Sequence, residues 1–278
     1  MSPQFSIIIP TYGRPRQLNA CLRSVVQLEY PRDLFEVLVV DDGSPEPPET
    51  VIATYCEYLN LRYLRQEHAG PATARNTGAA SARGKFLAFI DDDCAPATDW
   101  LRTLEARFTQ HPVEAVGGRT QNGLPENPYS TASQTLIDYL YLYFNSIADH
   151  ARFFASNNLA FPAEQFRAIG GFEPTFPKAA GQDRELCDRW LHHGYQMIYA
   201  PEVVVFHNHP LTFRRFCRQH FNYGRGAFFF HQLRAQRKET PISIEPFSFY
   251  WNLLKHPFSN PELSIPFPIS ASSSLHRP

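Results

Sequence analysis

The sequence predicts an α/β fold with a mostly parallel central sheet flanked by helices. Three observations carry this. In the first 120 residues, near-continuous apolar stretches alternate with stretches of helical periodicity, the pattern of parallel strands covered on both faces. Two of those apolar stretches run straight into carboxylates, Asp41-Asp42 and Asp91-Asp92-Asp93. In parallel sheets ligands bind beyond the carboxyl ends of the strands, where both clusters fall. The chain has 278 residues, 43% of them hydrophobic, enough for one large domain or two small ones with a substantial core.

Phe5-Ser-Ile-Ile-Ile-Pro10 reads as the first strand. From Arg14 to Leu28, Leu18, Leu22, Val25 and Val26 fall at helical spacing. Phe35 to Val40 is a second buried strand that ends in Asp41-Asp42-Gly43-Ser44. A helix around Glu49 to Tyr58 and a strand at Leu61 to Gln66 follow. Gly70 to Ala82 is Ala-rich and helical, and Phe86 to Ile90 is the strand ahead of the acidic triplet.

The second half is less regular. Thr131 to Ala148 and Arg184 to His193 read as helices. Phe153 to Phe161 and Met197 to His207 read as strands. Phe213 to Arg234 reads as a helical segment interrupted at Gly224-x-Gly226. From about Thr240 the chain turns rich in Pro and Ser, the composition of an extended or disordered tail.

Lys and Arg number 26 against 27 Asp and Glu, so no overall charge draws the chain to nucleic acid or to an anionic membrane. The five cysteines are scattered, without metal-ligand spacing. They read as reduced thiols of a cytoplasmic protein. The N-terminus lacks a signal-peptide layout, and no apolar run approaches the ~20 residues needed to span a bilayer. The expectation is a soluble protein, at most peripheral at the inner face of a membrane.

Three carboxylates in a row at a strand end are unfavourable unless a cation sits there. In an extended chain, alternation sends Asp91 and Asp93 to one side and Asp92 to the other. An Asp-x-Asp pair is a hard-oxygen site, suited to Mg2+ or Mn2+ with positions left open for phosphate oxygens. A solvated acidic turn is the plain alternative.

Several motifs occur in a fixed order: Pro10-Thr11-Tyr12-Gly13-Arg14; Val39-Val40-Asp41-Asp42-Gly43-Ser44; Gly70-Pro71-Ala72-x-Ala74-Arg75-Asn76; Phe89-x-Asp91-Asp92-Asp93; Asn157-Asn158-x-Ala160-Phe161; Gly170-Gly171-Phe172-Glu173; and Gly181-Gln182-Asp183-Arg184-Glu185-Leu186. Together they closely resemble the family 2 glycosyltransferases of GT-A fold, from about Phe5 to Arg225. The resemblance implies a Rossmann-like nucleotide-sugar half over 1–120, an acceptor half over 121–238, and a tail over 239–278. It implies inverting transfer of a sugar from a nucleotide donor, with UDP-sugars favoured, to a hydroxyl acceptor that is a glycan, a lipid-linked saccharide or a small molecule.

The same resemblance implies the site. Pro10, Thr11, Tyr12, Arg14, Asp42, Arg75 and Asp92 would bind the nucleotide, with Asp42 accepting from a uracil-like N3-H. Asp91 and Asp93 would hold Mg2+ or Mn2+, with His207 as a further ligand. Asp183 would be the general base that takes the acceptor's proton. Asn157, Asn158, Gln182 and Trp190 would face the donor or acceptor sugar, although the helical spacing of Trp190 with Leu186 also suits core packing. Gln182 departs from the family, which has Glu before the base. Its neutrality removes a charge beside Asp183 and eases ionisation. The nearest match to the Gln-x-x-Arg-Trp of processive members is Gln219-His-Phe-Asn-Tyr223, which lacks both the cation and the indole. The resemblance therefore implies transfer of single sugars. A sugar nucleotidyltransferase would need a Gly-rich loop after the first strand, and Pro10-Thr-Tyr-Gly-Arg-Pro15 offers one Gly and two Pro. A non-catalytic sugar-nucleotide- or glycan-binding relative is the other alternative, and Gln182 is the feature that favours it.

Overall fold

The computed structural model describes residues 3–176 and 180–259. Eight strands form one mixed sheet: β1 (Phe5–Thr11), β2 (Phe35–Asp41), β3 (Leu61–Arg65), β4 (Phe86–Phe89), β5 (Cys94–Pro96), β6 (Ala115–Asn122), β7 (Leu159–Pro162) and β8 (Met197–His207), in the order β3-β2-β1-β4-β7-β6-β8-β5. The first four strands of that order run parallel, with Thr11 beside Asp41 and Ile8 beside Phe89. β7 is antiparallel to both neighbours, β6 and β8 are parallel, and β5 returns antiparallel on the far edge.

Alternation along β1 divides the core. Ile7 and Ile9 face the helices α1 (Pro15–Val26), α2 (Glu49–Tyr55) and α4 (Trp100–Gln110), and pack with Leu22, Val25 and Leu101. Ile8 faces α3 (Pro71–Ser81), α5 (Pro128–Phe144), α6 (Ala163–Ala168) and α7 (Gln182–His192), in a layer holding Ala79, Phe89, Phe166 and Trp190. Local chemistry sets the helix starts. Pro15, Pro71 and Pro128 occupy first-turn positions where their fixed φ fits and no N–H is missed. Asn127 caps α5, its side chain accepting from Tyr129 N at 3.1 Å and Ser130 N at 2.9 Å.

Three expectations differ from the structure. Only Leu159–Pro162 of the stretch from Phe153 pairs as a strand; Ser156–Asn158 is a 3₁₀ turn. Helix α8 (Phe213–Lys238) runs unbroken through Gly224 and Gly226. A Cβ on Gly226 would lie 2.3 Å from the Ala180 carbonyl, so this glycine allows close approach rather than a break. Finally, α9 (Phe247–Ser259) is helical where composition predicts a tail. Its Phe249 packs on Tyr139 and Tyr143 of α5, with ring centroids 5.3 and 4.7 Å apart. The remainder of that tail, 260–278, lies outside the described residues.

Candidate active site

The ends of β1, β2, β4 and β8, the start of α7 and the inner side of α8 enclose a cavity of about 870 Å³. Pro10, Thr11, Tyr12, Arg14, Asp42, Arg75, Asp91, Asp92, Asp93, Asn157, Gln182, Asp183 and His207 all line it. Residues about 170 positions apart, from Pro10 to Asp183, thus share one space.

The triplet is not extended. β4 ends at Phe89, and Cys94 N donates to Asp91 O at 3.1 Å, which closes a tight turn. Alternation is therefore lost. Arg14 Nη1 lies 3.2 Å from Asp92 and 3.0 Å from Asp93, binding those two together. Asp91 turns instead to Arg75 Nη2, at 2.6 Å. Asp92 also accepts from Thr11 Oγ1 at 2.7 Å. Burial pushes the Asp92 carboxyl up to about 6, with the charges of Asp93 and Asp91 adding and those of Arg14 and the Thr11 hydrogen bond opposing.

Asp93 sits between two histidines. His209 Nδ1 is 2.9 Å from one oxygen and His207 Nε2 3.3 Å from the other. Burial would raise Asp93, but the hydrogen bonds from His207 and His209 and the charges of His207 and Arg14 outweigh it and hold the carboxyl well below its usual range. Burial likewise would lower His207, and Asp93 reverses the shift. Asp93, Cys94 and His207 bring ligand atoms within 4.8 Å of one another. The Asp93 carboxylate suits Mn2+ or Mg2+, and the His207 imidazole favours Mn2+ of the two; burial raises the Cys94 thiol well above its usual range, and its soft sulfur is a poor match for either hard ion. Asp91, expected as the second carboxylate ligand, lines the same cavity but lies outside this group of three, with one of its oxygens held by Arg75.

Asp42 is already hydrogen-bonded within the protein. Gln66 Nε2, Ala69 N, Gly70 N and His68 Nδ1 approach its carboxylate at 2.7, 2.9, 2.8 and 2.9 Å. Three of these are hydrogen bonds to the carboxylate, while His68 Nδ1 also lies 3.1 Å from the Asp42 carbonyl, so a base N–H entering here would compete with His68 for the remaining acceptor position. The exposed His68 is the one free to move, and its ring stacks on Tyr12 at 4.3 Å. The sequence alone does not single out His68, yet it follows β3, and the carboxyl-end rule that finds Asp42 extends to it.

Asp183 lies in the first turn of α7, after Gly181 in the left-handed conformation (φ 84°). It is therefore not the helix cap; Gly181 holds that position. Its carboxylate accepts from Arg184 N at 2.9 Å. Burial pushes it above the ordinary carboxylate range, the backbone N–H groups of Arg184 and Ser156 and the charge of Arg75 oppose, and the Asp91 charge adds. Arg75 is itself buried, 6% exposed, and its Nε has no partner among the described residues. Gln219 and Tyr223, one turn apart on α8, also line the cavity; Gln219 bonds to Tyr223 at 2.8 Å and to His209 at 3.0 Å.

Two expected sugar contacts are elsewhere. Trp190 is fully buried, its Nε1 donating to Gln196 O at 2.8 Å and its ring 4.9 Å from Phe161. Asn158 accepts from Trp100 Nε1 at 3.0 Å and donates to the Arg119 and Val203 carbonyls. Both hold the core together and neither lines the cavity. Asn157 does line it, bonded to Thr120 at 3.1 Å.

A model described as glycosyl transferase family 2 matches residues 6–170. The glycosyltransferase AglE of Haloferax volcanii is 28% identical over 226 residues, 81% of this chain and 73% of its own. The pre-mycofactocin glycosyltransferase of Mycobacterium tuberculosis is 31% identical over 230 residues, 80% of this chain, which spans only 46% of that relative. In structure the chain is similar to the mannosyltransferase PcManGT of Pyrobaculum calidifontis, solved with GDP-Man and Mn2+, at a TM-score of 0.67 and 22% identity over 92% of this chain and 69% of that one. TarS of S. aureus, solved with UDP-GlcNAc, gives 0.61 and 18% over 92% and 73%. These likenesses identify the sheet as GT-A in type. With motifs in order and a family match over more than half its length, this glycosyltransferase belongs to glycosyl transferase family 2.

Proposed function

We propose that the protein moves one sugar, with inversion, from a nucleotide-diphosphate sugar to an acceptor hydroxyl, with UDP-sugars favoured, and that Asp183 is the general base. The observation that carries this reading is that Asp183 faces the same cavity as the Asp93–His207 pair. Asp93 and His207 would hold Mn2+ or Mg2+, which would neutralise charge developing on the departing diphosphate. The neighbours' GDP-Man, UDP-GlcNAc and Mn2+ support a donor of this class.

This chain's residues supply the rest. Arg75 links the acidic triplet to the base, pairing with Asp91 and opposing the upward shift of Asp183 by its charge. Its guanidinium lines the cavity, and its buried Nε has no partner among the described residues, so a small shift of the side chain would offer a donor to an anionic oxygen. Asp183 then takes the hydroxyl proton as the new bond forms, from the face opposite the leaving group, which inverts the anomeric centre.

A thermal-shift series tests the reading. UDP, GDP and dTDP are compared with and without Mn2+, since a ligand of the folded state raises apparent stability. The expected result is a nucleotide shift that needs Mn2+, vanishes in Asp93→Ala and persists in Asp183→Asn. Turnover in Asp183→Asn should fall by about 10²–10⁴. Wild-type turnover in that variant would refute the base; a shift retained in Asp93→Ala would refute the metal site.

A further inference from the structure

We propose that the outer faces of α8 and α9 form a docking surface for a bilayer containing anionic lipid, and that the cavity opens within this surface. Charge is the first observation. Between His209 and Lys238 the chain carries six Arg and one Lys and no carboxylate, which leaves 19 cations against 27 carboxylates elsewhere. Arg234, Arg237 and Lys238 are neutralised by Asp188 and Glu185 of α7. Arg214, Arg215, Arg218 and Arg225 make no ion pair among the described residues, and all four are exposed.

Spacing is the second. Arg214, Arg218, Phe221, Arg225 and Phe228 recur at alternating steps of four and three residues, which puts them on one stripe of α8. Phe221 is 68% exposed and Phe228 57%. On α9, Phe247, Trp251, Leu254 and Phe258 follow the same rule and are 79, 49, 66 and 90% exposed. The opposite side of α9 is already used, with Phe249 and His256 buried against α5. Guanidiniums interleaved with exposed aromatics are the mark of a helix lying in the interface plane rather than crossing it, and no helix among the described residues is long and apolar enough to cross.

Continuity is the third. Phe228 of α8 and Tyr250 of α9 are exposed and also line the cavity, so the two stripes flank its mouth. Behind them the wall is apolar, formed by Ile137, Leu140, Phe153, Phe249 and Leu253. A second copy of the chain is a poorer occupant. A two-fold contact through α8 would bring the same unpaired arginines face to face. An anionic, apolar surface satisfies both the charges and the rings. Docking of this kind does not rest on the proposed catalytic roles, and a failure of either leaves the other standing.

Vesicle flotation tests it, with phosphatidylcholine alone and phosphatidylcholine mixed with phosphatidylglycerol, at low and high salt. Trp100 and Trp190 are 0% exposed, so a vesicle-induced blue shift of emission reports Trp251. Binding should require phosphatidylglycerol, weaken with salt and be accompanied by that shift. Arg214→Gln with Arg225→Gln should weaken it about thirtyfold, at the usual contribution of a basic residue near an anionic leaflet. Trp251→Ser with Leu254→Ser should weaken it without restoring binding to neutral vesicles. All four positions are exposed, and an unchanged melting temperature in each variant confirms folding. Equal binding to neutral and anionic vesicles, no binding to either, or wild-type binding by the arginine variant would overturn the proposal. So would a lipid-free dimer whose formation shifts Trp251 emission, which would assign the face to a second copy.

Discussion

Beside Asp183 stands Gln182, buried in the same cavity wall. Burial already holds the Asp183 carboxyl above the ordinary range. A carboxylate at 182 would disfavour its ionisation further. Since a base works only once deprotonated, Gln182→Glu should move the acid limb of the kcat/KM profile to higher pH; an unmoved limb would mean that the limb is not Asp183's. At this scale the sequence was legible in placement, since the motifs bring Asp93 after β4, Arg75 on α3 and Asp183 at the start of α7 to one cavity. It was misleading where residue type alone suggested a role. Trp190 and Asn158 look like ligands of a sugar, but their directions are set by Phe161, Trp100 and two backbone carbonyls that are distant in sequence. The sequence pointed to Asp42 but not to its partners, because Gln66, Ala69 and Gly70 come from a loop with no pattern of its own.

The two glycines of α8 separate geometry from propensity. A Cβ on Gly226 would meet the Ala180 carbonyl at 2.3 Å, whereas nothing lies within 4 Å of one on Gly224. Gly226→Ala should cost about 1–3 kcal/mol and lower kcat as well, because the peptide it displaces precedes Asp183. Gly224→Ala should stabilise by up to about 1 kcal/mol. Melting temperatures that move the same way in both variants would contradict this contact. Elements were legible in proportion to their burial. The buried parallel strands and the 11-residue β8 follow from apolar runs. β5 is three residues long, and β6 carries Gly117-Gly118 and a polar end, Thr120-Gln121-Asn122. Neither has a period to read. Both are held by β8, a partner far along the chain.

For the molecule as a whole, alternation of strand and helix foretold the parallel half and its ligand edge, but not the antiparallel turn of β7 that curls the sheet. Composition also concealed the end of the chain. Past Thr240, Glu245 pairs with Arg184 at 2.9 Å, and Tyr139 donates to Phe249 O at 2.7 Å. Ile244, Glu245, Phe249, Tyr250 and Leu253 are one wall of the cavity. A protease nick between Thr240 and Pro246 would leave the sheet whole while loosening that wall. The nicked protein should keep its nucleotide-dependent thermal shift and lose turnover; full turnover would mean that α9 stays seated without its covalent tether. A version of this enzyme cut back at Lys238 would thus keep every strand and lose the roof over one flank of the cleft.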